Sequence, residues 1–310
     1  MNFEGIRPEV FAAYSQEKWS SNVHNLARMK AKDTLNALCT LAESTLHDEL
    51  EGLSRAGSDE VPNITNQKKV DAQWVYWFRD AKEREKLQSF LKETPLDEAT
   101  IFNIAVHEKH ALLAVVLREK ELWLGMRVAA MASVDRRNLA AKLEKSWERE
   151  QFLLLLKDLP KEATFSSQQA SLPCSDVTLD HLAQAAASLE KNQPPWSVGH
   201  AMTATEACEL GIELADHVSR WIGALAPIYR FVAWSHHNDH IEAGKKLQEE
   251  KAQKRREATS YRKGDKVRVI SGLFSGKTGV VENIDTKAHV KVRVGKMSVV
   301  VSGHDLLPAR

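Results

Sequence analysis

The chain has 310 residues, 43% hydrophobic and 27% charged, an ordinary balance for a globular protein with room for two or three domains. It carries 43 Lys and Arg against 42 Asp and Glu; its three cysteines, Cys39, Cys174 and Cys208, lie far apart with no CxxC pair, which excludes a disulfide scaffold and a zinc ribbon. The opening MNFEGIRPEV shows neither the basic nor the apolar region of a signal peptide, and no run reaches the ~20 apolar residues of a membrane span, so a cytoplasmic, membrane-free protein is expected.

Residues 1–160 read as an α-helical domain. Trp19, Val23, Leu26, Leu35, Leu38, Leu41, Leu46, Leu50 and Leu53 recur mostly at three- and four-residue steps, the stripe of an amphipathic helix. Gly52, Gly57 and Pro62 break it. A second helix is expected from Asn66 to about Leu91, burying Val70, Trp74, Trp77, Phe78, Ala81 and Leu87. Thr94-Pro95-Leu96-Asp97 has the chemistry of a helix start, and the chain then reads as helix to Leu159, with a break near Arg118–Glu121 or Gly125, until Pro160 stops it. Residues 161–177 are polar and mixed and read as a linker. An α-helical subdomain is expected over 178–244, from a short helix at Leu179–Lys191, a loop at Asn192–Gly199, and a helix over Thr203–Ala258 with a kink at Pro227 that runs on into the tether. Residues 245–260 have no apolar stripe and read as a charged tether.

At about Tyr261 the pattern changes to alternation of polar and β-branched residues with close glycines. Val290, Val292 and Val294 fall on one face of a strand, and Lys291 and Arg293 on the other. Four or five short strands in residues 261–310 are expected to curl into a small β-barrel so as to bury one face. From Lys245 onward the chain holds 16 Lys and Arg against 7 Asp and Glu, whereas the preceding residues hold 27 against 35, so a basic end follows an acidic body.

The run Gly264-Asp265-Lys266-Val267-Arg268-Val269-Ile270-Ser271-Gly272-Leu273-Phe274-Ser275-Gly276-Lys277-Thr278-Gly279-Val280-Val281, continuing through Ile284-Asp285 and His289–Val294, resembles the KOW motif. It is similar to the C-terminal domain of NusG-type transcription factors and to a segment of one large-subunit ribosomal protein. That resemblance implies an SH3-like barrel that binds RNA or protein in transcription or translation. Residues 1–258 do not resemble the mixed α/β domain that precedes the barrel in NusG-like proteins. The expected architecture is therefore multidomain: a mainly α-helical body plus a C-terminal SH3-like β-barrel.

The expected function is non-enzymatic binding, the barrel docking on RNA, a ribonucleoprotein, a ribosomal protein or RNA polymerase. Lys263, Lys266, Arg268, Lys277, Lys291, Arg293 and Lys296 are the candidates to meet phosphates. Phe274 would stack on a base or fill a partner's pocket, or else close the end of the barrel. Gly272, Gly276 and Gly279 would shape the loop. A protein–protein module without nucleic-acid contact and an enzyme seated in the helical body are the alternatives. No catalytic residue or cofactor can be read from spacing, and the sequence leaves the oligomeric state open.

Three weaker signals carry little. Gly272–Thr278 has one residue too few between its glycines for a phosphate-binding P-loop. His107-Glu108-Lys109-His110 has its histidines three apart, not the four a zinc-protease helix needs, and reads as an exposed helical face. His236 and His240, four apart on an expected helix, with His217 and Asp216 nearby, are weak candidates for zinc. The tryptophans at 74, 77, 123, 147, 196, 221 and 234 read as core.

Overall fold

The structure, a computed structural model, describes residues 3–91, 105–167, 171–189, 195–241, 261–270, 274–284, 289–302 and 305–309. The chain divides into two compact units, Met1–Ile241 and Glu242–Arg310.

The first unit is built on a sheet that the helical reading did not contain. Among the described residues, seven strands pair in the order β1-β2-β3-β4-β7-β5-β6, all neighbours antiparallel: β1 Leu53–Gly57, β2 Ala72–Arg79, β3 Ala111–Arg118, β4 Glu121–Val128, β5 Thr164–Ser166, β6 Ser171–Pro173 and β7 Trp196–Thr203. Eight α-helices among the described residues accompany it: α1 Pro8–Ala12, α2 Asn25–Glu43, α3 Ala81–Leu91, α4 Ser133–Leu143, α5 Ser146–Lys157, α6 Leu179–Leu189, α7 Ala204–Glu209 and α8 Leu214–Val232.

The expectation of a mainly helical body is therefore corrected. Strand β2, AQWVYWFR, is buried along its whole length, as is nearly all of β3, ALLAVVLR. Val75 and Trp77 with Leu113, Val115 and Leu117 face one core, whereas Trp74, Tyr76 and Phe78 with Leu112, Ala114 and Val116 face another. A strand covered on both sides loses its alternation and becomes a continuous apolar run, which periodicity cannot tell from a buried helix. Trp74 and Trp77, three residues apart, imitate helical spacing while pointing to opposite faces. The break expected near Arg118–Glu121 is the turn between β3 and β4. Gly125 lies inside β4, directly opposite Gly199 of β7, in the segment expected to be a loop. Residues 161–177, expected as a linker, carry β5 and β6, and β5 pairs with β7. The expected start at Thr94–Asp97 and the tether 245–260 lie outside the described residues.

The helices that were legible hold one face of the sheet. α8 buries Leu214, Val218, Trp221, Ile222, Leu225, Ile228, Tyr229 and Val232, a stripe at three- and four-residue steps, and packs on β3, β4 and α2. α2 adds Leu35, Leu38, Cys39 and Ala42, and the Trp77 indole N–H donates to its Glu43 carboxylate. Thr203 and Glu206 cap each other reciprocally to start α7. A buried ion pair ties β2 to α4: Arg79 donates to Asp135, which also accepts from the amides of Ala111 at 2.7 Å and Trp234 at 2.9 Å. Of the tryptophans expected in the core, Trp147 is 58% exposed, and Trp77, Trp196, Trp221 and Trp234 are buried. No helix among the described residues is long and apolar enough to cross a membrane.

The second unit holds a five-stranded antiparallel sheet in the order β11-β10-β9-β8-β12: β8 Lys266–Val269, β9 Thr278–Ile284, β10 His289–Val294, β11 Met297–Ser302 and β12 Leu306–Pro308. The expected barrel is corrected too, because among the described residues β11 and β12 remain the two edges of an open sheet. The physical reason is that closure is not the only way to cover an apolar face. Val267, Val269, Val281, Val290, Val292 and Leu306 form the core, and Tyr261 and Phe274 fold over it from outside the strands. The Tyr261 hydroxyl donates to the Leu306 carbonyl at 2.8 Å.

Candidate nucleic-acid interface

The period of two along the C-terminal strands sorts charge from core. In β8, Val267 and Val269 are fully buried while Lys266 and Arg268 are exposed; in β10, Val290 and Val292 are fully buried while Lys291 and Arg293 are exposed. Strand β9 runs between them. Lys266 pairs with Val280, which pairs in turn with Arg293 and so with Ser298 of β11. Lys266 and Arg293 thus stand in one row across the sheet, about 10 Å apart at ordinary strand spacing. Arg268 lies opposite Thr278, and Lys291 opposite Asn283. The outer face therefore carries two cationic strands flanking a mostly neutral one.

One irregularity shapes this face. The β9–β10 register shifts between Lys291 and Val292: Val281 pairs with Val292, but Asn283 pairs with Lys291. Glu282 is the extra residue of a β-bulge, so Glu282 and Asn283 fall on the same side of the sheet. The Glu282 carboxylate lies 3.6 Å from Arg293 Nε and accepts from the Ser298 hydroxyl at 2.7 Å. Among the described residues, Lys266, Arg268 and Lys291 have no acidic partner, so three of the four face cations are free to meet an anion.

The remaining expected residues surround the face. Lys263 is exposed in the turn before β8, Lys277 immediately before β9, and Lys296 in the turn between β10 and β11. The Lys277 backbone accepts from the Val269 amide, placing it outside the row of Lys266 and Arg293. Phe274 packs half-buried against the valine core. Gly276 turns with φ +80°, and Gly279 is buried against β10. Gly272 lies outside the described residues. Glu282 and Ser298, which set the charge available on the face, were not singled out from the sequence; the bulge that exposes them has no signature in alternation.

The weak metal candidates are not brought together. His236 and His240 lie on an irregular segment around the Ser235–Asn238 bridge, not on a helix. His236 lies against His237, whereas His240 sits between Lys145 and Glu148. His217 packs elsewhere, near His200 and Trp221. Among the described residues, no group of three or more His, Cys, Asp or Glu is placed to hold a metal ion. His107 and His110 also depart from the sequence reading. They lie beside β3, His107 stacked on Trp74 with centroids 4.9 Å apart and His110 buried against Phe78.

Comparison with protein families matches residues 263–296 to the KOW motif, covering β8, β9, β10 and the turn that follows. Comparison with curated proteins finds no match to the chain.

Proposed function

We propose that this chain is a non-enzymatic binding protein of the translation or transcription apparatus, and that its C-terminal sheet grips the phosphate backbone of RNA. The observation that supports this most is the exposed face on which Lys266, Arg268, Lys291 and Arg293 flank β9, inside the segment that matches the KOW motif. Cations held on a rigid sheet contact phosphates with little loss of backbone freedom, and they read charge, not sequence.

The test is the salt dependence of binding to single-stranded RNA. Four phosphate contacts give a slope of log K against log salt near −3, or about a fiftyfold loss of affinity between 50 and 200 mM. The triple variant Lys266→Gln, Arg268→Gln, Lys291→Gln leaves one cation and a slope near −1. A slope unchanged by the triple variant rejects the face as the phosphate site.

A second reading, a protein partner in the same apparatus, is favoured by one observation. Met297 and Val300, on the edge strand β11, are 59% and 66% exposed. An open edge flanked by exposed apolar side chains suits an added strand. Binding that tolerates salt and fails in Val300→Asp selects this reading. Affinity purification of the full chain, with and without nuclease, then separates RNA from protein contacts.

A further inference from the structure

The second face of the large sheet has chemistry that the C-terminal face does not explain. Between the β1–β2 connection and the segment leading into β3 lies a cavity of about 320 Å³ within the first unit. Its volume is at the lower end of the ~300–1,000 Å³ typical of small-molecule sites. One wall is aromatic. The Trp74 and His107 rings are stacked, 4.9 Å apart and inclined by only 15°, and Tyr76 meets His107 edge-on at 5.8 Å. Burial holds the His107 imidazole below its usual pKa, so at neutral pH the wall is uncharged.

The wall is held in place from behind. Arg127 donates twice to the Glu108 carboxylate, at 2.8 and 3.2 Å, and its guanidinium lies 5.1 Å from the Trp74 ring. This bidentate clamp fixes the backbone beside His107. The opposite rim is the loop 58–71, and it is also preorganised. Asn63 and Asn66 each accept from the other's backbone amide, and Gln67 and Lys68, neither of them glycine, adopt φ of 56° and 59°. Two consecutive left-handed non-glycine residues are a strained arrangement of the kind found at binding sites. Charges of both signs line the cavity: Lys69 and Lys109, and Asp59 and Asp71.

The geometry points to this cavity as a nucleotide site, the base lying against Trp74, Tyr76 and His107 and the phosphate meeting Lys69 and Lys109. A flat π-system is what an aromatic wall holds, and the two lysines in the lining are its groups able to meet an anionic substituent. The Asp59 carboxylate, which also accepts from the Asn63 side-chain amide at 2.7 Å, supplies an acceptor for a base with an exocyclic amino group. The same chemistry is offered by a free mononucleotide and by one unstacked residue of an RNA strand. The site lies wholly in the first unit and does not depend on the C-terminal face.

The test is calorimetric titration of the full chain with AMP, CMP, GMP and UMP, with adenosine and inorganic phosphate as controls, and with a single-stranded oligoadenylate. To exclude the C-terminal face, all titrations are repeated in the Lys266→Gln, Arg268→Gln, Lys291→Gln background. Saturable binding of an amino-bearing mononucleotide in both backgrounds supports the site. So does oligoadenylate binding in both backgrounds without mononucleotide binding, which assigns the source as a strand. Lys109→Gln then weakens binding about tenfold with the melting temperature kept, and His107→Ala weakens it while lowering the melting temperature, because it also removes the ring stacked on Trp74. Should His107→Ala unfold the chain, Lys109→Gln alone carries the comparison. Absence of saturable binding at millimolar ligand, or binding unaffected by Lys109→Gln, overturns the assignment.

Discussion

Replacing Gly279 with alanine is the sharpest test of the second unit's geometry. A Cβ at this position would stand 2.5 Å from Val292 Cγ1 and 2.6 Å from the Arg293 carbonyl oxygen. The valine methyl can rotate away, but the carbonyl belongs to the β9–β10 ladder and moves only if the pairing of Val280 with Arg293 loosens. Overpacking of this kind costs about 1–3 kcal/mol. A value near 2 kcal/mol raises the opening equilibrium about thirtyfold. That is a large share of the stability of so small a unit, which rarely exceeds about 3–5 kcal/mol. Tryptophan fluorescence does not register the loss, because all eight tryptophans precede residue 242. Hydrogen exchange resolved by peptide does: protection across 278–294 falls about thirtyfold in Gly279→Ala, while peptides from β2–β4 are unchanged. Protection in 278–294 within threefold of the parent refutes the packing argument.

Asp135→Asn leaves the buried Arg79 without its counter-charge, a loss of about 3–5 kcal/mol, which for a unit of this size lowers the melting temperature by about 10 °C as followed by tryptophan fluorescence. His110 is pushed down to about 4 by burial first and by Arg79 second. Its folded pKa lies below the unfolded value near 6.5, so the unfolded chain binds the extra proton; stability is fully present above pH 6.5 and falls toward pH 4 by at most about 1.4 kcal/mol per pH unit. Urea melts at pH 7.5 and 5.0 measure the slope, and His110→Leu flattens it. Thr203→Ala removes the reciprocal cap of α7 and costs about 1 kcal/mol in the same melts.

How much of this was legible depends on how each segment is covered. The second unit announced itself because its strands have one wet face: valines at 290 and 292 and cations at 291 and 293 must alternate. α8 was legible for the matching reason, since a helix lying on a sheet keeps one apolar stripe. β2 and β3 were not, because both of their faces are covered, and Trp74-x-x-Trp77 then reads as a helix. Strand β7, preceded by Pro194-Pro195 and holding Gly199, read as a loop; its place in the sheet is set by pairing with β4, a contact of long sequence separation. The exposure of Lys266, Arg268, Lys291 and Arg293 was legible from alternation, but the mostly neutral strand between them was not. The cavity at Trp74 and His107 was missed altogether, since it joins residues more than thirty positions apart.

The bulge at Glu282 gives the basic face an internal counterion. Without the extra residue, Val281 would still point inward and Asn283 outward, so the fold's alternation does not need it. What the insertion adds is a carboxylate that occupies Arg293 until a stronger anion takes its place. Any polyanion docking here exchanges one carboxylate for a phosphate at that position, and the phosphate still gives up its condensed cation, so Arg293 counts as a fourth contact at a lower net gain. Glu282→Gln would therefore tighten binding most at low salt, with the advantage over the parent shrinking as salt screens the carboxylate it removes.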